Sequence, residues 1–382
     1  MKQSSAIAAC GRGPRKLSNA VSNTPNSGRL PSLDGLRAVS ISLVLGSHSV
    51  HAQGFPAEWE GCFRWLFDGA LGVRCFFTIS GFLITYLMLL EVQRSGRVSL
   101  RNFYLRRTLR ILPVYFLFLL ALGGLQMATP FSLTSAQWIS SLTFTVNFFP
   151  GVWSNGHLWS LAVEEQFYLI WPFLFVLAGL AGQMRRATLL LLVPLVSAPV
   201  FRVIGYTGWA GPELRWLFNS ASFLMHMDGL AMGCLAAFLF HGERLRIEQL
   251  IGAWPKAVCL TALGLIGLPY VLSRLFLGGI FTVPLGPTTQ SLGFTLLLLL
   301  GIVRPTWGGY RLLNWAPICQ VGVLSYSLYL WQQIFCSPPQ DFGVDAVWWM
   351  SFPGWLFAAF AAAAVSYYAF ELPLVQLRAR YR

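Results

Sequence analysis

Arg37 and His48 lie eleven positions apart in one apolar stretch, Leu33-Asp-Gly-Leu-Arg-Ala-Val-Ser-Ile-Ser-Leu-Val-Leu-Gly-Ser-His48. Ionisable groups are costly inside a bilayer, so an arginine and a histidine in such a run mark a functional position. Eleven helical steps make close to three full turns. They return His48 to the face of Arg37, roughly 16 Å further along the axis. With Arg37 near one membrane surface, His48 is expected deep in the hydrocarbon. A cation at the entrance and a proton acceptor inside describe a reaction chamber. The plainer alternative is a satisfied interior histidine held by another helix; the shared phase with Arg37 favours the chamber. Asp34, three positions before Arg37, can pair with it on the same face.

A second set occurs in Gly156-His-Leu-Trp-Ser-Leu-Ala-Val-Glu-Glu-Gln-Phe-Tyr168. His157, Glu164 and Tyr168 share one helix face, at steps of seven and four. Two adjacent carboxylates cannot both face lipid. Phase turns Glu164 inward and leaves Glu165 to reach headgroup water. A carboxylate facing a buried imidazole would fix its tautomer and stabilise the imidazolium formed on proton abstraction. The alternative is a helix start that favours acidic residues for dipole reasons.

The third set is basic. Residues 91–110 hold six arginines and no lysine, ending in Phe103-Tyr-Leu-Arg-Arg-Thr-Leu-Arg110. Arg106 and Arg110 are one helical turn apart with Arg107 beside them. The planar guanidinium donates two parallel hydrogen bonds to phosphate. Lipid headgroup binding and topology bias account for the same pattern equally well. No glycine-rich phosphate loop is present.

The elements that position these residues are membrane helices. Apolar residues make up 55% of the chain and charged residues 11%, which excludes an ordinary soluble core. Ten runs reach spanning length, approximately 33–51, 71–90, 109–128, 158–180, 187–204, 219–240, 256–273, 288–304, 317–336 and 351–370. The stretch 138–149 is apolar but too short, and reads as re-entrant or interfacial. With the N-terminus inside, the segments left on that side carry 21 of the 27 Lys and Arg residues. Both termini are therefore expected in the cytoplasm. The net charge of +13 is mainly this topology signal and does not argue for nucleic acid. Residues 1–30, rich in Ser, Asn, Pro and Gly, read as a disordered basic tail, and 378–382 as a short basic end. The apolar start is too short for the core of a signal peptide. Residues 31–377 form one integral domain. The seven cysteines show no metal-ligand spacing, so no metal site is expected. Gly72, Gly81, Gly229 and Gly233 suit close helix packing.

At this point the chain resembles the acyltransferase-3 family of integral membrane acyltransferases, from residue 31 to 377. Seven segments carry the resemblance, in the family's order. They are the Arg37/His48 pair, Gly72–Phe82, Phe103–Tyr115, Trp159–Tyr168, Met227–Gly233, Ser325–Trp331 and Glu371–Pro373. Two positions depart from the pattern: Arg74 stands where an acidic residue is frequent, and Gln332 where a histidine is usual. The sequence ends after the tenth run, without the extracytoplasmic SGNH-hydrolase-type domain that some relatives append. Catalysis is therefore expected within the membrane part.

The resemblance implies an all-α polytopic protein of a bacterial cytoplasmic membrane that moves an acyl group, acetyl by default, from cytoplasmic acyl-CoA to a hydroxyl. The acceptor would be a cell-surface or exported carbohydrate or a glycosylated metabolite. Acyl-CoA would be a co-substrate, with no tightly bound cofactor. Arg106, Arg107 and Arg110, with Arg37, would hold its phosphates, and the pantetheine arm would thread towards His48. His48 would serve as general base, either directly or through an acyl-histidine. Glu164 would orient the imidazole, and His157 would assist at the outer mouth. Asp34 and Tyr168 complete the expected substrate contacts. A transporter is the rival reading, since it too places titratable groups at mid-depth. Against it, the two halves show no inverted repeat and the buried ionisable groups cluster in the first half.

Overall fold

Backbone groups in hydrocarbon need internal partners, and helices supply them within a single segment. In a computed structural model, which describes residues 30–149, 151–275 and 278–377, the chain is built of helices accordingly. In order they are α1 (Leu33–Ser49), α2 (Ala57–Leu66), α3 (Gly69–Ser95), α4 (Leu100–Ala128), α5 (Ser135–Leu142), α6 (Trp153–Gly156), α7 (Leu158–Leu177), α8 (Met184–Thr207), α9 (Phe223–Gly242), α10 (Arg244–Ala253), α11 (Pro255–Arg274), α12 (Val283–Val303), α13 (Tyr310–Leu313), α14 (Ala316–Phe335), α15 (Gly354–Ser366) and α16 (Leu372–Leu377). No strand occurs among the described residues, and the six described cysteines are free. Nearly all of the expected tail, and the basic end at 378–382, lie outside the described residues.

Among the described residues, eight helical stretches are long and apolar enough to cross a membrane, against the ten expected. They run through α3, α4, α7, α8, α9, α11, α12 and α15. The two expected spans outside this set are α1 and α14. The first is only 17 residues long; the second interrupts its apolar run with Gln320, Ser325, Ser327, Gln332 and Gln333. The apolar stretch at 138–149 forms no span: α5 covers eight residues, closed by a Thr134–Gln137 capping box, and turns follow it.

Burial separates the helices. In the spanning windows of α3 and α9, 61% of residues are buried, against 11% in that of α11. The α3–α9 crossing is close because a Cβ on Gly233 would strike the Thr78 carbonyl and the Phe82 amide. Gly322 does the same for α1 and α14, since a Cβ there would fall on the Asp34 backbone. That approach lets the far ends of α1 and α14 meet.

The basic segment folds differently from the loop expected up to residue 108. Ser99 caps α4, its side chain accepting from the Asn102 amide at 3.3 Å, so the helix starts at Leu100 and includes Arg101 to Arg110. Glu91 at the end of α3 accepts from the Ser99 amide at 2.9 Å and from Arg106 Nη2 at 2.8 Å. On the opposite flank a buried ion pair ties α8 to α9. Arg202 reaches Asp228 at 2.8 Å and also donates to Thr288 and to the Met225 and Pro284 carbonyls.

Candidate active site

His48 occupies the last turn of α1. That helix is roughly 26 Å long at 1.5 Å per residue. His48 therefore stands at the end of the helix remote from Arg37. Its Nδ1 lies 2.9 Å from Oε1 of Gln332, a fully buried side chain near the end of α14. The Sγ of Cys336, one turn further along, approaches the same oxygen at 3.7 Å. The His48 ring packs edge-on against Trp153 with centroids 5.2 Å apart.

His157 meets the helix that carries Gln332, two residues before it, at the Leu330 carbonyl. It was expected at the outer mouth but is buried, because the N-terminus of α7 lies against α14. Its Nε2 donates to the Leu330 carbonyl at 3.1 Å, while Nδ1 has no hydrogen-bond partner among the described residues. Tyr329 completes this seam. Its hydroxyl donates to the His157 carbonyl at 3.0 Å and lies 2.6 Å from Ser160 Oγ.

On the other side of the seam lies a cavity with about 790 Å³ of unfilled space, counting its open mouth. Arg37, Arg107 and Arg110 line it together with Glu164, Glu165 and Tyr168, and Ser160 and Tyr329 also face it. Arg37 is held by Asp34 at 3.2 Å. Arg107 sits over the Tyr168 ring, 4.9 Å from its centroid. Glu164 accepts from Ser80 at 2.6 Å and from Tyr168 at 3.3 Å. His48 is not among the lining residues. His48 instead meets α14 at Gln332, one helical turn beyond the cavity-lining Tyr329.

The site thus divides into two layers on shared helices. The structure gathers Arg37, Asp34, Arg107, Arg110, Glu164 and Tyr168 around the cavity, and His48 and His157 beyond it. Three expectations change. Glu164 bonds Ser80 and Tyr168 rather than His48, and its carboxylate lines the cavity with the guanidinium groups, because it lies almost two turns further along α7 than His157. Arg106 is absent from the cavity lining, since Glu91 draws it to the α3–α4 turn. Glu165 also lines the cavity instead of leaving for headgroup water.

Ser80, Ser160 and Tyr329 were not among the expected site residues, and Gln332 stood only as a departure from the family pattern. The signal for Gln332 was present: two adjacent glutamines in an apolar helix need partners as a histidine does. The family-like segments also meet in space. Tyr329 joins Ser160, and Ser327 donates to Glu371. Asp228, by contrast, serves as the clamp for Arg202. Among the described residues no group of His, Cys, Asp and Glu could hold a metal ion.

Comparison with known proteins agrees in kind. The acyltransferase-3 model, described as an acyltransferase domain, matches residues 30–371. O-acetyltransferase OatA of Staphylococcus aureus is 29% identical over 332 residues, covering 79% of this chain and 50% of that protein. The Bacillus subtilis protein named "Putative peptidoglycan O-acetyltransferase YrhL" is 25% identical over 374 residues, covering 90% of this chain and 55% of that one. The chain therefore spans about half the length of these curated relatives. No solved structure matches.

Proposed function

The chain belongs to the acyltransferase-3 family, and from that premise we propose that it is an integral membrane O-acyltransferase. It moves an acyl group, acetyl by default, from acyl-CoA to a hydroxyl of a cell-surface or exported carbohydrate. A peptidoglycan sugar is the acceptor class suggested by the name of the Bacillus subtilis relative. In this reading α1 and α14 also cross the bilayer, giving ten spans with both termini in the cytoplasm of a bacterial inner membrane. One observation carries the reading: three guanidinium groups line a cavity that reaches Tyr329, one turn of α14 before the Gln332 that bonds His48.

The donor's phosphates are held by Arg107, Arg110 and Arg37, with Asp34 steadying Arg37 and Tyr168 bracing Arg107. The pantetheine arm runs along the cavity towards Ser160 and Tyr329. Separation of those two hydroxyls joins the cavity to the His48 layer and admits the thioester. His48 Nε2 then removes the proton of the acceptor hydroxyl as its oxygen attacks the thioester carbonyl. The carbon–sulfur bond breaks, and the CoA thiolate takes the proton back from the imidazolium.

The test is release of free CoA from acetyl-CoA by purified protein in detergent, with and without saccharide acceptors. Mass spectrometry of cell-surface glycans from strains with and without the gene identifies the acceptor. The parent protein should release CoA, and His48→Ala should not, while inserting and purifying normally. Full turnover by His48→Ala removes the proposed base, and absence of acetyl-CoA turnover by the parent removes the donor assignment.

A further inference from the structure

Three features point to a role for Gln332 that neither its uncharged side chain nor its surroundings advertise. It is fully buried at the end of α14, yet its carboxamide is only half satisfied. Oε1 meets His48 Nδ1 at 2.9 Å, and Nε2 has no hydrogen-bond partner among the described residues. The close approach of α14 to α1 at Gly322 fixes the register in which this contact forms.

We propose that Gln332 is the positioning residue of the His48 base and that its free Nε2 donates to a substrate oxygen held beside the imidazole. This rests on the reading of His48 given above. An amide oxygen only accepts, so Oε1 facing His48 Nδ1 at 2.9 Å takes a hydrogen bond from the ring, while the Cys336 thiol reaches both this oxygen at 3.7 Å and the Gln333 carbonyl at 3.9 Å. His48 Nδ1 therefore carries the hydrogen, and Nε2 of the ring keeps the lone pair that can accept a proton. The reversed amide would present N–H to Nδ1, protonate Nε2 and leave the ring unable to act as base there. Choice of amide orientation is thus choice of reactive tautomer.

The free donor extends the argument. A buried N–H without an acceptor carries a desolvation cost that a ligand oxygen would relieve. The thioester carbonyl and the acceptor hydroxyl are the oxygens the reaction brings to His48. Unlike a carboxylate, a carboxamide neither takes up the proton nor balances the imidazolium charge. The proton removed from the acceptor accordingly stays on the ring until the thiolate collects it.

The experiment compares Gln332→Met, Gln332→Glu and His48→Ala for turnover, acetyl-CoA KM and thermal unfolding in detergent. Methionine keeps length and removes both polar atoms. Glutamate keeps the acceptor and removes the donor. Gln332→Met should lower kcat about 10- to 100-fold, with acetyl-CoA KM within about twofold and the unfolding midpoint unchanged. Gln332→Glu should recover part of that loss. Parent-like turnover in Gln332→Met overturns the proposal. So does a fall in kcat that comes with lost acetyl-CoA affinity or stability and that Gln332→Glu does not relieve. If His48→Ala stays active, the base reading itself fails; if it is inactive while Gln332→Met is unaffected, only the positioning role fails.

Discussion

Neighbouring arginines on α4 should respond to mutation in opposite ways. Arg107 faces the cavity and sits over Tyr168, whereas Arg106 is drawn to Glu91 at 2.8 Å. A hydrogen bond to a charged group contributes about 1.5–3 kcal/mol. Loss of one phosphate contact from Arg107→Ala should therefore raise the Kd for CoA about 10- to 150-fold. The Arg106–Glu91 side chains are 23% and 22% exposed, so solvent screens their pair. Arg106→Ala should cost about 0.2–1 kcal/mol of stability and leave CoA affinity within about threefold. Calorimetric titration of CoA into each detergent-purified variant measures the first quantity, and thermal unfolding the second. Equal weakening by both substitutions would reassign the cluster to general headgroup or topology charge. Unchanged affinity in Arg107→Ala would remove the cavity as the donor site.

Other outcomes follow from the same geometry. Glu164 is a counter-charge for the guanidinium groups in the cavity, so Glu164→Gln should tighten CoA binding and lower the unfolding midpoint of the CoA-free protein. Weaker CoA binding in that variant would argue against this placement. Asp228→Ala leaves Arg202 buried without its carboxylate and should cost about 3–5 kcal/mol, read by chemical unfolding; replacing both residues by Met should cost much less. Tyr329→Phe removes the hydroxyl that bonds the His157 carbonyl and should cost only about 1 kcal/mol. It should nevertheless increase CoA release in the absence of acceptor, because the seam between cavity and base is loosened; unchanged hydrolysis would mean that the seam is no barrier.

Much of the framework could be read from residues alone, and the failures have identifiable causes. Eight of the ten apolar runs correspond to helices long and apolar enough to span, because backbone satisfaction in lipid leaves no other local solution. The helix that carries both Arg37 and His48 was legible from its apolar run. Helical phase also put Glu164 and Tyr168 together, and they are bonded in the structure. Phase alone could not say which neighbouring helix each face meets. Glu164 was assigned to His48 because both lie on inward faces, but depth along α7 sets it against Ser80 and the arginines instead. Arg106 and Arg107 differ by 100° of rotation, and only the position of Glu91 decides which of them faces the cavity.

The two helices that carry the His48 contact are also the two that fall outside the set of clear spans. This is a physical consequence of where the chemistry sits. A helix that faces lipid must be apolar throughout, as the 11% burial in the α11 window illustrates. α1 and α14 pack against one another, and neighbouring helices cover them, so protein groups rather than water face their polar side chains. Ser327 has Glu371, Tyr329 has the His157 carbonyl, and His48 has Gln332. A polar interruption in a helix lodged among stronger spans therefore marks an interior that can hold a reaction. In this chain it selects α1 and α14, and Gln332 as well as His48.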